Sequence, residues 1–462
     1  MIMGFVSIIP VALAIALAVL TKNTVVSLSI ACIIGCFLKG DGLFGFTNLI
    51  YTALGDPSSI WTILMVVLFS VLVTYFERSG AIDGFTDIAQ KYNLKRRGVQ
   101  LISWALGLFC FADSMSPLFV GSVMKKLSDK AKISREKLAY IADSTASPLS
   151  VIHPFSSWSP YLAGLAFATG VFASSDNAYR FVLGAIGFNF YAILSVLLVF
   201  LIAMGIVKDF GPMKKAEKRA VEEGKVLADN AVSLTTEGAL EKRVFEKPRV
   251  LINFVLPVVL LVAICAVTVV LDGEPAICEA AMILVVLMSV SFLIQGLKLE
   301  ELNKVFLQGV KNAVPAVLVL SVAYPLNTLS GQMGTADFLI NSTSSFLSPA
   351  FLPAGIFLIG AVLSFATGTS WGTYAICVPI FLPWAYSLAG NQVNAFVLAC
   401  FGAIAGGGVF GDHCSPLSDT TILSSMGAGS DHIDHMSTQI PYAVTCAAVS
   451  VVLYLVIGFA TT

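Results

Sequence analysis

The stretch "GDHCSPLSDTTILSS", Gly411 to Ser425, sets two aspartates, a histidine and a run of serines and threonines directly after an uncharged segment, Asn391 to Phe410, that contains "GAIAGGG". Much earlier, "ADSTASPLS", Ala142 to Ser150, repeats its core. The fold turns on whether these polar runs lie in water or inside a membrane. Of 462 residues, 57% are hydrophobic and only 12% are charged, against about 25% charged in a soluble domain. Apolar stretches such as Met3 to Leu20, Val250 to Leu271 and Met436 to Phe459 have the roughly 20 residues that a helix needs to cross hydrocarbon. A single β-barrel span would be about half as long and alternating. The chain therefore reads as an integral membrane protein built from helices, and the polar runs sit within its apolar length.

The segment "MIMGFVSIIPVALAIALAVLTKN" lacks a basic start and a small-residue cleavage site before Lys22, so it is expected to be a retained helix rather than a secretion signal. Nine cysteines fall almost entirely in apolar segments without a CxxC pair; they read as small packing residues, not as disulfides or a zinc ribbon. A net charge of −1 excludes a nucleic-acid surface.

One polar stretch, Lys208 to Arg249, carries ten Lys or Arg and eight Asp or Glu and divides the chain into similar halves. A shift of 254 positions lays Leu64 on Leu318, Leu72 on Leu326, Thr74 on Thr328, Gly80 on Gly334, Asp83 on Asp337, Phe111 on Phe365, Ala112 on Ala366 and Ser116 on Ser370 without a gap. A further shift of 14 lays Ser147-Pro148-Leu149-Ser150 on Ser415-Pro416-Leu417-Ser418. The expected organisation is a first transmembrane repeat over 1–207, a cytoplasmic linker over 208–249 and a second, inverted repeat over 250–462.

Loop charges set the orientation. "KYNLKRRG" has four Lys or Arg and Lys125 to Lys137 has six, whereas the equivalent second-half segments "SSFLSPAF" and "VPIFLPWAYSLAGNQVN" have none. Conversely Lys298, Lys304 and Lys311 precede the second-half helix at 312, and "FGFTNLIYTALGDP" in the first half has none. By the positive-inside rule the halves face opposite ways, the signature of an inverted-topology repeat. Inversion needs an odd number of spans per half. The 27 residues between Arg97 and Lys125, basic at both ends, therefore read as a re-entrant hairpin, with its partner at 351–378 entering from outside. The expected fold class is an all-α polytopic membrane protein of two inverted-topology repeats, each with about five spans plus a re-entrant hairpin and an interrupted helix.

Four interruptions carry the chemistry: "FADSMSP" (111–117), "ADSTASP" (142–148), "FATGTSW" (365–371) and "GDHCSPLSDTT" (411–421). Proline removes a backbone donor and glycine lets a helix unwind. Unwound backbone at membrane depth is tolerated only where protein or a watery cavity surrounds it, and its carbonyls, with nearby hydroxyls, then suit Na⁺. An ionised carboxylate there costs a few kcal/mol. Asp113, Asp143, Asp412 and Asp419 therefore either cap half-helices near the interface, or hold a cation or a proton. The candidate ion- or substrate-binding set is Asp143, Ser144, Thr145, Ser147, Asp412, Ser415, Ser418, Asp419, Thr420, Asp113, Ser116, Thr367, Thr369 and Ser370, with Na⁺ at Asp412 and Asp143 and His413 as a pH-sensitive neighbour. His153 reads as a structural histidine. "GSDHIDHM", Gly429 to Met436, reads as a helix start with an aspartate cap rather than a metal site, because no Cys, Glu or third His accompanies it.

Other classes fit less well. Intramembrane aspartyl proteases need GxGD and YD motifs, but residues 409–412 read "VFGD" and no YD partner occurs. A channel does not call for paired broken helices in inverted repeats, and no GxxxxGK[ST] loop provides an ATP motor. A non-enzymatic secondary transporter remains, driven by an ion gradient and needing no cofactor.

"GDHCSPLSDTTILSS" followed by "DHIDHMSTQIPYA", together with "FADSMSPLFVGSV" and "ADSTASPLSVIHPFSSW", resembles the NhaC-type sodium/proton antiporters of the wider ion-transporter superfamily, from about residue 58 onward. The resemblance implies exchange of cytoplasmic Na⁺ for external H⁺ in the plasma (inner) membrane, with Asp412, Ser415, Ser418, Asp419 and Thr420 in the matching motif. It also implies a homodimer surrounded by lipid, working by an elevator motion. Family members often have Lys-Met after Gly-Asp, where this chain has His413-Cys414. Relatives exchange malate and lactate, so the alternative is a Na⁺- or H⁺-coupled carrier of a small organic acid or amino acid.

The charge pattern predicts that the 208–249 and 125–137 loops are cytoplasmic and both termini external. A cysteine introduced into the 208–249 loop should resist a membrane-impermeant maleimide in intact cells; labelling from outside would contradict this orientation.

Overall fold

The computed structural model describes residues 4–21, 23–80, 95–109, 115–154, 156–231, 243–246, 249–272, 276–335, 338, 348–416 and 418–462. All regular structure among them is helical. The first half comprises α1 (Ile9–Thr21), α2 (Thr24–Lys39), α3 (Gly42–Leu54), α4 (Pro57–Arg78), α5 (Arg96–Phe109), α6 (Met115–Lys130), α7 (Arg135–Ser144), the single turn α8 (Ser147–Ser150), α9 (Trp158–Ala168), α10 (Ser175–Ala185) and α11 (Phe190–Ala203). Helix α12 (Gly211–Glu222) lies in the polar stretch between the halves. The second half comprises α13 (Leu256–Asp272), α14 (Ile277–Ile294), α15 (Leu299–Met333), α16 (Leu352–Thr367), α17 (Ser370–Leu388), α18 (Ala395–Asp412), α19 (Asp419–Ala428) and α20 (His432–Thr461).

Helices α16 and α17 meet at Gly368, whose φ of 72° ends α16, and they pack on one another and on α18. Helices α5 and α6 pack together likewise, but the "FADSMSP" tip from 111 to 114 lies outside the described residues. Both interrupted helices break where proline and serine cluster: α7 stops at Ser144 and α18 at Asp412, each followed by a Ser-Pro. The halves also cross-pack, with α19 against α6 and α7, and α20 against α7 and α11.

The halves share one glycine turn and differ at the next break. Gly40 and Gly42, at φ 92° and 64°, turn the chain so that α3 lies at 119° to the Val25–Lys39 helix. The shift of 254 lays Gly42 on Gly296, at φ 95°, where α14 likewise gives way to α15; the halves differ at Gly55, between α3 and α4, over whose equivalent positions α15 continues as one 35-residue helix. Four single helices among the described residues, Ser59–Arg78, Pro349–Thr367, Ala395–Asp412 and His432–Thr461, are long and apolar enough to cross a membrane, and two bent pairs raise this to six. Among the described residues, single helices and bent pairs of this kind account for four to six of the ten or so expected spans.

The glycines after Asn391 have a packing purpose. A Cβ on Gly407 would lie 2.6 Å from the Phe357 carbonyl oxygen, and one on Gly411 would lie 2.1 Å from the Phe365 nitrogen. Without side chains there, α16 lies directly on the α18 backbone, and the turn into α17 reaches the end of α18.

Helix α12 straps one end of the bundle. Its apolar face, Met213, Ala216 and Ala220, is buried, and it packs on α7 and α20. Arg96 pairs with Glu217, whose Oε1 also accepts the Ser134 N–H at 2.9 Å. Arg219 pairs with Glu136 at 2.7 Å. Arg135 N–H donates to the Val226 carbonyl at 3.0 Å. Lys137, its side chain only 1% exposed, pairs with Asp209, which also accepts from the Tyr442 hydroxyl at 3.1 Å. These bonds hold the start of α7.

Removing one member of a buried pair leaves the other charge uncompensated, at a cost of about 3–5 kcal/mol, whereas an apolar pair of similar volume is tolerated. Asp209→Ala should therefore lower the melting temperature of the detergent-purified protein clearly, and Lys137→Met combined with Asp209→Leu should recover most of the loss. Melting of Asp209→Ala at the wild-type temperature would show that this pair contributes little.

Candidate ion-binding site

Asp412 ends α18 and is only 2% exposed. A dehydrated carboxylate needs donors, and two hydroxyls from different elements provide them. Ser418 donates to Oδ1 at 2.7 Å, and Ser370, the first residue of α17, donates to Oδ2. A hydroxyl has one proton, so Ser418, committed to Asp412, accepts from Thr420 at 3.1 Å and from the Thr421 N–H at 3.3 Å as it caps α19. Thr421 in turn donates its hydroxyl to the Asp412 carbonyl at 3.1 Å. Ser415 donates to the Phe365 carbonyl at 2.8 Å, fastening the broken segment to the end of α16.

His413 is fully buried between the halves. Its Nε2 meets Ser144 Oγ at 2.8 Å, and its Nδ1 meets the Tyr191 hydroxyl at 2.8 Å. Tyr140 stacks on the same ring with centroids 6.5 Å apart, and Tyr442 stacks on Tyr140 at 4.7 Å. An aromatic column thus runs from the Asp209 end of the strap to the site.

Asp143 lies in the last turn of α7 with no exposure. Its Oδ2 accepts from Gln439 Nε2 at 2.7 Å, and the same nitrogen donates to the His413 carbonyl. His435 Nε2 stands 3.9 Å from Oδ2 and 2.7 Å from Gln439 Oε1. Asp143 Oδ1 has no hydrogen-bond partner among the described residues. One glutamine therefore touches both interruptions, joining the Asp143 carboxylate to the backbone beside Asp412.

The other expected site residues divide. Ser144 and Thr420 belong to these networks, while Thr145 and Thr367 give their hydroxyls to the Ile141 and Leu363 carbonyls, at 2.8 and 2.9 Å. Ser116 and Ser147 are buried, and their hydroxyls have no hydrogen-bond partner among the described residues. Thr369 is half-buried at the cap of α17, which makes no side-chain cap bond. Asp113 lies outside the described residues, as does the side chain of Asp419 at the start of α19. The "DHIDH" run starts α20 as a capped helix, with Asp431 accepting from Ile433 and Asp434 N–H at 2.9 and 3.0 Å. Its histidines nonetheless turn inward: His432 Nε2 contacts the Pro416 carbonyl at 2.9 Å, and His435 Nδ1 contacts Ser425 at 2.9 Å. No group of three metal-binding side chains gathers among the described residues. Sequence reading missed Gln439, His435 and Tyr191. The only available signal was the four-residue spacing of His435 and Gln439, which places them on one face of α20.

Buried acidic groups among hydroxyl and carbonyl oxygens suit a small hard cation, and a proton takes its place when the cation leaves. A sequence model of the Na⁺/H⁺ antiporter family matches residues 151–459. An uncharacterized protein of Haemophilus influenzae is 33% identical over 98% of this chain and 91% of its own length. The malate-2H⁺/Na⁺-lactate antiporter of Bacillus subtilis is 30% identical over 36% of this chain and 34% of its own length. The Alcanivorax borkumensis YdaH transporter shares the fold, with a TM-score of 0.62 at 14% identity, covering 90% of this chain and 89% of the other. Two buried acidic breaks in a bundle of apolar helices, and a family match spanning most of the chain, lead to one conclusion: the protein belongs to the Na⁺/H⁺ antiporter family and is a multi-pass membrane protein, a secondary active transporter.

Proposed function

We propose that the protein exchanges cytoplasmic Na⁺ for external H⁺ across the plasma (inner) membrane, with Asp412 and Asp143 as the groups that exchange cation for proton. The observation that carries this is the Asp412 carboxylate, enclosed by hydroxyls from two separate elements, Ser370 of α17 and Ser418 of the broken segment. A cation there would draw the same oxygens together, while a proton on the carboxyl would compete with Ser370 or Ser418 for a lone pair. Occupancy then changes how α17 is held against α18, the differential interaction a transport cycle requires. Ser415, Thr420 and Ser144 support this shell, and His413 joins it to the first half. The reading also includes 1–207 and 250–462 as oppositely oriented repeats, 208–249 as a cytoplasmic linker, and a homodimer.

The similarity to a malate-2H⁺/Na⁺-lactate antiporter supports a second reading, Na⁺- or H⁺-coupled carriage of a small organic acid. The two readings separate in inverted vesicles. Na⁺-dependent dequenching of a pH dye with no organic solute present is the result expected for Na⁺/H⁺ exchange; dequenching only when an organic acid is added would replace it with the second reading.

Asp412→Asn keeps the shape but carries no titratable proton, so it should abolish Na⁺-driven proton movement while leaving folding and insertion intact. Asp412→Glu should retain part of the exchange with a displaced pH profile. Were Asp412 only a helix-terminal structural residue, Asn would be the better tolerated of the two. Wild-type exchange by Asp412→Asn would remove this residue from the coupling.

A further inference from the structure

We infer that Gln439 is a positioning residue for the transported cation: it holds one oxygen of Asp143 so that the other is presented to the ion. The inference rests on the reading of Asp143 as a cation ligand and extends it to a residue on a third element, α20.

The network fixes the orientation of the amide. Nε2 faces two acceptors, Asp143 Oδ2 and the His413 carbonyl, while Oε1 faces His435 Nε2 at 2.7 Å. A flipped amide would set its oxygen against two other oxygens, so the NH₂ group faces Asp143 and His413. His435 then donates from Nε2, and its Nδ1 lies 2.9 Å from the Ser425 hydroxyl. Every polar atom of the Gln439 side chain thus has a partner, and the side chain is fully buried. A residue merely filling space would not need all three.

Clamping Oδ2 determines the rotation of the carboxylate. Oδ1, the remaining ligand oxygen, has no partner although it is buried, and an unpartnered buried carboxylate oxygen is costly unless something else binds it. Gln439 also grips the His413 carbonyl, so the backbone beside Asp412 and the carboxylate of Asp143 are held in one register. In a pre-positioned site the cation orders fewer groups on binding, and affinity rises without a change in the translocation step.

The test is Na⁺-dependent proton movement by the full-length protein in proteoliposomes, titrated with Na⁺. Gln439→Met keeps the volume and removes the amide. It should raise the half-saturating Na⁺ concentration about tenfold, the order of one lost charge-assisted bond, with the maximal rate within about twofold. Gln439→Asn, one methylene short of bridging both partners, should move half-saturation in the same direction, so that the test stands if either variant fails to fold. Unchanged half-saturation in a folded variant, or a lower maximal rate at unchanged half-saturation, would overturn the inference. Asp143→Asn separates the two levels. Loss of saturable Na⁺ dependence in Asp143→Asn, with wild-type titration in Gln439→Met, would overturn only the positioning role. Wild-type titration in Asp143→Asn would overturn the cation reading beneath it.

Discussion

Carboxylates removed from water impose their needs on everything around them, and in this protein Asp412 shows how far that reaches. Its donors come from Ser418, six residues onward, and from Ser370, 42 residues earlier. The second contact requires the start of α17 to lie at the end of α18. That approach in turn requires the bare backbone at Gly407 and Gly411, where any Cβ would collide with α16. An uncharged, glycine-rich segment ahead of an acidic break is thus one physical requirement expressed twice.

The first half meets the same requirement differently. Position 144, which the Ser-Pro-Leu-Ser alignment sets against Asp412, is a serine. The acid stands one residue earlier, at Asp143, where donors come from α20 rather than from the first half's own hairpin. Ser144 turns instead to His413 of the other half. The two breaks are therefore not copies. One is a carboxylate enclosed by its own half, the other a carboxylate with an open oxygen and a partner from across the molecule. Such asymmetry gives the two acids unequal environments.

The charged strap adds a constraint from the opposite direction. Ion pairs from Arg219 of α12 and from Asp209 just ahead of it hold Glu136 and Lys137 at the start of α7, whose last turn carries Asp143. Because α7 is only 10 residues long, its two ends are joined by a stiff rod of about 15 Å. Tyr442, Tyr140 and His413 stack between the strap and the site. The polar stretch that reads in sequence as a linker is in part a brace on the helix that carries Asp143.

The amino-acid sequence by itself determined membrane residence, helical class and the location of the breaks, because hydropathy, proline, glycine and misplaced charge are local properties read one residue at a time. It also marked Asp143, Asp412 and their hydroxyl neighbours, since polar residues in apolar surroundings need a reason to be there. Continuity of the helices was less legible: the chain breaks at Gly55 between α3 and α4, while the equivalent stretch of the second half continues as one helix. Only tertiary structure decided the partners. Gln439, 296 residues from Asp143, and Tyr191, 222 from His413, look in sequence like ordinary residues of apolar helices. A hydrogen bond depends on two groups meeting within about 3 Å, and that meeting is set by how distant helices pack, which no local pattern records.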